Sequence, residues 1–300
     1  TRSLGSVVVH KLVDTDGNGS YETSDTGANT LGFTWSLDGS GTNAMGSTVS
    51  EVNTGLHDVD ENNLTDYHFV GWYPTSDTSK TCSNTTDTTL PANITVNNNQ
   101  TTEITLCNAH NTGTLRVLKN VDLNGDGDYT DPNETGATDW LWQANGGSDN
   151  NTGDAAISVI TGDYALTETS KPDFHFADLS CTGGTLNDNT VTVTTGQDVV
   201  CTFKNARDTG TIKVIKDVDP NDNSNWDIDI SGPTPNTDTL SDESDTGALL
   251  SLTGSYIVTE SGDTGTDAND YDSSYVCVDG QTPVTSGSGT SASFDPGGSA

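Results

Sequence analysis

Three hundred residues carry 10 Lys and Arg against 44 Asp and Glu, a formal charge of −34, and only 30% of the residues are hydrophobic. Phosphates would repel so acidic a chain, which excludes nucleic acid as a partner. No stretch approaches the ~18 apolar residues of a membrane span. The acids divide into 36 Asp and 8 Glu; Asp favours turns and Glu helices, so the acidity belongs to loops. Disordered chains share this composition, but here the apolar residues fall in short β-branched runs between Gly, Asn, Asp and Ser clusters. That is the pattern of strands joined by polar turns. The fold class is all-β, with no helix beyond one or two turns.

The first unit opens with Gly5-Ser6-Val7-Val8-Val9-His10-Lys11 and runs into an acidic loop from Asp14. Next comes an aromatic-led strand, Phe33-Thr34-Trp35-Ser36-Leu37-Asp38-Gly39, apolar at alternate positions so that one face packs inward. Residues 40–66 read as long polar loops, with His57-Asp58-Val59-Asp60-Glu61 as a solvated acidic segment. Strands are expected again at Asp66-Tyr67-His68-Phe69-Val70-Gly71, at Ile94-Thr95-Val96 and in the closing run Ile104-Thr105-Leu106-Cys107-Asn108.

The second unit repeats that order: Gly113-Thr114-Leu115-Arg116-Val117-Leu118-Lys119, an acidic loop from Asp122, then Trp140-Leu141-Trp142-Gln143-Ala144-Asn145-Gly146. Gly162-Asp163-Tyr164-Ala165-Leu166-Thr167-Glu168 and the closing Val199-Val200-Cys201-Thr202-Phe203-Lys204-Asn205 complete it. A third copy has Gly210-Thr211-Ile212-Lys213-Val214-Ile215-Lys216, Trp226-Asp227-Ile228-Asp229-Ile230-Ser231-Gly232 and Gly254-Ser255-Tyr256-Ile257-Val258-Thr259-Glu260. It reaches 294–298 without a counterpart of the closing strand.

Units of about 100 residues with some seven short strands fit a tandem array of Ig-like β-sandwiches. The expected repeats are 1–112, 113–209 and 210–300. Joints this short favour a stiff rod. Two readings of the third unit stay open: a window on a longer array, or an edge filled by a strand of another chain.

Cys107 and Cys201 lie in closing strands, with Cys82 and Cys181 before them. The expected disulfides are Cys82–Cys107 and Cys181–Cys201, which imply an oxidising, extracellular setting. Cys277 matches Cys181, and its partner belongs to the absent strand.

The acidic loops carry the strongest local chemistry. Asp14, Asp16, Asn18, Ser20, Glu22 and Asp25 place oxygen donors at Ca2+-loop spacing, with Gly19 at the sharp turn. The second loop offers Asp122, Asn124, Asp126, Asp128 and, as closing acid, Asp131 or Glu134. The third, from Asp217, lacks the glycine. An Asx-rich turn without metal is the other reading, and a Ca2+ loop without flanking helices acts as a clamp rather than a sensor.

The run 113–119, with Tyr164-Ala165-Leu166-Thr167-Glu168 and Cys201-Thr202-Phe203-Lys204-Asn205, resembles the CnaB/SpaA-type prealbumin-like domains of bacterial surface adhesins and pilins. The resemblance extends over all three units. It implies an isopeptide bond from Lys119 to Asn205, with Glu168 as the acid that promotes it; a plain Lys–Glu ion pair is the alternative. Unit one has Lys11 and Asn108, with Gly71 where the acid should stand. Unit three has Lys216 and Glu260 but no closing Asn.

No enzyme site emerges: the histidines are scattered without zinc spacing, and there is no nucleophile elbow. The expectation is a structural repeat segment of an extracellular, cell-surface fibre or stalk, stiffened by Ca2+ and disulfides. Its partners are further repeats or copies of itself. The alternatives are an adhesin whose residues 40–66 meet a host, matrix or glycan ligand, and the non-catalytic stalk of a larger secreted enzyme.

Overall fold

A computed structural model describes residues 2–295; Thr1 and 296–300, including the end of the run at 294–298, lie outside the described residues. Unit one has strands β1 (Leu4–Asp14), β2 (Thr34–Leu37), β3 (Ser40–Ala44), β4 (Thr48–Asn53), β5 (Gly55–Glu61), β6 (Tyr67–Pro74), β7 (Ala92–Val96) and β8 (Thr101–His110). They form two facing sheets, ordered β4-β1-β8-β6 and β3-β2-β5-β7. Alternation places Val7, Val9, Lys11 and Val13 of β1 inward, all buried. The three valines pack with Trp35, Val59, Ile94, Ile104 and Leu106 in one core. A two-turn helix, α1 (Asp25–Leu31), precedes β2, with Ala28 fully buried.

Unit two has β9 (Thr112–Asp122), β10 (Leu141–Ala144), β11 (Asn150–Asn151), β12 (Ile157–Ile160), β13 (Gly162–Glu168), β14 (Phe174–Thr182), β15 (Thr185–Asn187), β16 (Thr190–Val193) and β17 (Asp198–Arg207). The sheets run β12-β9-β17-β14 and β11-β10-β13-β16-β15 around a separate core of Leu115, Val117, Trp142, Leu166 and Phe203. In both units the closing strand inserts parallel to the opening strand: Val9 is opposite Ile104 in unit one, and Val117 opposite Cys201 in unit two.

Unit three has β18 (Thr209–Ile212), β19 (Ile215–Lys216), β20 (Asn225–Ser231), β21 (Asn236–Ser241), β22 (Ser244–Asp245), β23 (Leu249–Leu252), β24 (Tyr256–Gly262), β25 (Ser274–Asp279), β26 (Thr282–Ser288) and β27 (Ser291–Phe294). One sheet, β21-β20-β24-β27, is complete and covers a core of Ile212, Ile228, Ile230, Leu240 and Tyr256. The other is reduced to the pairs β18-β23 and β19-β22 and the hairpin β25-β26.

The structure corrects the reading of residues 40–66, which hold the strands β3, β4 and β5 rather than long loops. The acidic segment 57–61 is the end of β5. The true counterpart of β13 and β24 is therefore β5, not 66–71, which belongs to β6. A glycine of similar positive φ marks the start of all three: Gly55 and Gly162 open β5 and β13, and Gly254 lies just before β24, with φ of 136°, 149° and 133°. Asp58 and Asp60 of β5 face outward between the covered His57, Val59 and Glu61, and that polar alternation hid the strand in the sequence.

Candidate functional site

Each opening strand delivers a lysine into the interior. Lys11 and Lys119 have fully buried side chains, and their carboxylate partners, Glu61 and Glu168, are 4% and 6% exposed. Glu61 sits on β5 opposite Trp35, just as Glu168 sits on β13 opposite Trp142. Unit one thus has its acid after all. The sequence reading placed Gly71 there because it aligned the wrong strand.

Lys11 Nζ donates to both Glu61 Oε2 and Asn108 Oδ1. Lys119 Nζ donates to Glu168 Oε1 at 2.6 Å and lies 3.9 Å above the Trp140 ring centre. Asn205, 3% exposed, keeps a buried Oδ1 with no hydrogen-bond partner. Burial lowers the Lys11 amine to about 8, against the opposing pull of Glu61. Burial likewise lowers Lys119 to about 8. The Glu61 carboxyl is pushed up by its own burial, with Lys11 pulling the other way. Each site holds an amine with a weakened grip on its proton beside a nearly buried acid, and in unit one the Asn108 amide is bonded to it as well.

Both expected disulfides are present, Cys82–Cys107 and Cys181–Cys201, but they are built differently. Cys181 and Cys201 are direct cross-strand partners. In unit one the residue opposite Cys107 is Gly71, and Cys82 arrives from the segment after β6. A Cβ on Gly71 would come within 2.4 Å of the Thr85 methyl, so the missing side chain lets that segment fold across the strand. Cys277 on β25 is a free thiol.

The acidic loops follow directly from the opening strands. Asp14 Oδ1 accepts from the Gly17 amide and Oδ2 from that of Gly19, both at 2.8 Å. Asp122 repeats the pattern with Gly125 and Gly127, at 2.6 and 2.9 Å. Carboxylate oxygens of Asp14, Asp16 and Glu22 lie within 4.8 Å of one another. Asp25 is not with them: its two oxygens meet the Lys11 amide at 2.6 Å and His10 Nδ1 at 2.8 Å. Asn18 Oδ1 caps the Ser20 amide at 2.7 Å.

In the second loop, Asn124 Nδ2 bridges Asp126 and Asp131, and Asp128 Oδ1 accepts from the Tyr129 and Thr130 amides. Glu134 is 2% exposed; its Oε1 accepts from the Leu123 amide, and its Oε2 is buried without a partner. The third loop closes otherwise, through Tyr271 donating to Asp222 Oδ2 at 2.7 Å.

These loops sit at the joints. A Cβ on Gly17 would lie 2.5 Å from the Thr112 methyl and 3.5 Å from that of Ile160. One on Gly125 would lie 3.1 Å from both Thr209 Cγ2 and Leu252 Cδ2. Thr112 pairs with Ile160, and Thr209 with Leu252, so each loop rests on the same strand pair of the following unit.

A single residue separates successive units, and it bonds both ways. The Asn111 amide donates to Asp66 O behind it, and Asn111 O accepts from Thr161 ahead. Asp208 does the same with Asp173 O and the Thr253 amide. A histidine flanks each: His68 Nδ1 lies 3.0 Å from Asn111 Oδ1, and His175 Nδ1 lies 2.7 Å from Asp208 Oδ1. The sequence located these joints by their shortness but showed neither the two-way backbone bonding nor the flanking histidines.

Residues 110–203 match the family model of the SpaA-type prealbumin-like fold domain. Among solved structures the chain is similar to the Bacillus anthracis TIE protein, at 15% identity and a TM-score of 0.48, over 86% of this chain and 45% of that one. The chain thus spans less than half the length of that protein. No curated protein matches it.

Proposed function

With residues 110–203 a prealbumin-like domain of the SpaA type, we propose that the chain is a structural segment of an extracellular surface fibre or stalk. Its units are held in line by Ca2+ at the joints and braced inside by disulfides and lysine cross-links. The observation that carries this reading is the joint. It is built twice from the same parts, an Asn or Asp bonded to both neighbours and an acidic loop resting on the next strand pair. One-residue linkers hydrogen-bonded on both sides leave little freedom to bend.

Ca2+ fits the loops. Three carboxylates converging in the first repel one another unless a cation joins them, and in the second the buried Oε2 of Glu134 lacks a partner. Asp14, Asp16 and Glu22, already gathered, would hold the ion in one; in the other Asp122, Asp126 and Glu134, which are not gathered within 4.8 Å, would have to draw together around it. Bound there, it removes the repulsion within each loop and firms the surface on which the next unit sits.

Inside units one and two, the neutral lysine amine can attack the Asn side-chain carbonyl carbon. A C–N bond forms, the amide nitrogen departs as ammonia, and the glutamic acid supplies and takes back the proton. The reading covers Lys119–Asn205 with Glu168 and, now that its acid is located, Lys11–Asn108 with Glu61. No helix among the described residues is long and apolar enough to cross a membrane.

Small-angle scattering of the chain with Ca2+, then with EDTA, tests the joint. Chelation should broaden the distance distribution and lower the melting temperature; an unmoved profile and melting temperature would reduce the loops to turns. Intact mass reads the cross-links separately, through the loss of one ammonia per bond.

A further inference from the structure

In units one and two the acidic loop leaves the opening strand and returns along it, and the returning arm bonds the backbone of that strand's own lysine. In unit two, Glu134 O accepts from the Val121 amide at 2.7 Å, and Thr135 pairs with Asn120. The Gly136 and Ala137 amides both donate to Lys119 O, at 2.8 and 3.1 Å. The fully buried Thr152 fastens the arm, its hydroxyl donating to Ala137 O at 2.7 Å. The arm then runs on to Trp140, whose ring covers Lys119 Nζ. In unit one, Thr23 pairs with Val13, the Asp25 carboxylate accepts from the Lys11 amide, and Phe33 covers Lys11 Nζ. One stretch of chain therefore carries both the last acid of the loop and the aromatic roof over the amine.

The two loops stand differently toward an ion. In the first, the carboxylates of Asp14, Asp16 and Glu22 are already together, and Asp25, apart from them, locks the arm to Lys11. In the second, the acids are not gathered, and Glu134 Oε2 is buried without a partner. There the arm's hold on Lys119 runs through the second and third residues after Glu134. An ion that draws Glu134 toward Asp122 must shift this arm, and with it the Lys119 backbone and the Trp140 ring.

We propose that the returning arm of the second loop is a lid on the Lys119 chamber and that Ca2+ in this loop closes it, so that ion loading controls formation of the Lys119–Asn205 bond. This rests on the cross-link and Ca2+ readings above and adds their order, ion first and bond second. The reason is positional. Lys11 Nζ already donates to Asn108, whereas Lys119 Nζ is bonded to Glu168 and Asn205 Oδ1 has no partner. A misplacement of about 1 Å can cost such an attack about a hundredfold in rate, so a small shift of the arm is enough. The ion shifts the balance because it binds the closed arm better, where Glu134 can reach it. In unit one the amine already meets its amide and the acids are already gathered, so that bond forms without help from the ion.

Making the whole chain by cell-free translation, in Ca2+ or in EGTA, starts the clock at synthesis; intact mass with peptide mapping then follows the loss of one ammonia in each unit. In EGTA the Lys119–Asn205 bond should form at least about tenfold more slowly, while Lys11–Asn108 keeps its rate. Glu134→Gln, which retains the Oε1 acceptor for the Leu123 amide, should be as slow in Ca2+ as the parent is in EGTA. Equal Lys119–Asn205 rates in the two media would overturn the lid and leave the cross-link reading standing. No bond in unit two in either medium would remove that reading and the lid together. A second readout needs no bond formation. In Asn205→Leu, which keeps the Lys119–Glu168 pair and cannot cross-link, Ca2+ should slow hydrogen exchange at the Gly136 and Ala137 amides. Ca2+ that raises the melting temperature but leaves this exchange unchanged would overturn the lid alone; if neither moves, the Ca2+ reading falls with it.

Discussion

Units one and two bury the same three residue types, yet the closing Asn is engaged in one and orphaned in the other. Lys11 touches both Glu61 and Asn108, while Lys119 is bonded to Glu168 alone and leans on Trp140. Asn205 Oδ1 has no partner in unit two. A buried charge needs every available partner, so the two sites should differ in how much each depends on its acid. The aromatic below the amine differs as well: Phe33 lies 4.5 Å from Lys11 and Trp140 3.9 Å from Lys119.

Removing the acid gives the largest expected effect. Glu168→Ala strands Lys119 inside the sandwich and should cost unit two about 3–5 kcal/mol, the usual loss for breaking a buried pair. Glu61→Ala should cost unit one less, since Asn108 still accepts from Lys11. Differential scanning calorimetry reads this as two separate unfolding shifts; equal shifts would erase the distinction. Glu168→Gln, which keeps a hydrogen-bond acceptor without the charge, should recover part of the loss.

Reduction comes next. Cys82–Cys107 and Cys181–Cys201 span 25 and 20 residues, and on the loop-entropy model each contributes about 3 kcal/mol. The model makes the two contributions nearly equal, although one bond joins facing strands and the other ties a loop across Gly71. A much smaller loss on Cys82→Ala than on Cys181→Ala would show that the segment after β6 stays folded without its tie.

The repeat, the strand class and the disulfides were legible because each leaves a local mark. The opening stretches each carry a lysine, Lys11, Lys119 and Lys216, the loops begin at Asp, and the cysteines fall in or near closing strands. Glu61 was not legible. Its strand reads Gly55-Leu56-His57-Asp58-Val59-Asp60-Glu61, and only Val59 and Glu61 among its later residues point inward, so the pattern looks like solvated loop. Asp25 fitted the loop spacing by count, but a position along the chain does not fix direction, and β1 claims its carboxylate for the Lys11 amide. The joint residues Asn111 and Asp208 bond both neighbouring units through their backbone N–H and C=O, groups that nearly every residue has, so that part of their role leaves no mark in composition.

The buried lysines also set a pH response. An unfolded lysine holds its proton up to about 10.5, while Lys11 and Lys119 in the folded chain release theirs near 8. Between those values the unfolded state binds more protons, so stability should rise with pH. The slope is at most about 1.4 kcal/mol per pH unit for each lysine. Glu61, raised by burial, acts at lower pH: its contribution is present in acid and fades as pH climbs through its folded value. Denaturant titrations from pH 8 to about 9.5 read the lysine slope. A unit whose lysine has been consumed in an amide bond should show none, so the slope and the mass loss must be mutually exclusive, unit by unit.

The smallest effects belong to the joint glycines, and they separate the two joints. Gly17 and Gly125 both have positive φ, 72° and 76°, so alanine at either position incurs about 1–2 kcal/mol of backbone strain. Gly17→Ala would also drive a methyl to 2.5 Å from Thr112 Cγ2, where Gly125→Ala meets its neighbours at 3.1 Å. The first joint should therefore open in Gly17→Ala, seen as independent melting of units one and two, while the second holds in Gly125→Ala. Adding Thr112→Ser removes the offending methyl and leaves the φ strain in place. The double variant should regain coupled melting while remaining less stable than the parent. Failure to regain it would mean that the loop grips the next unit through its backbone shape rather than through contact with Thr112.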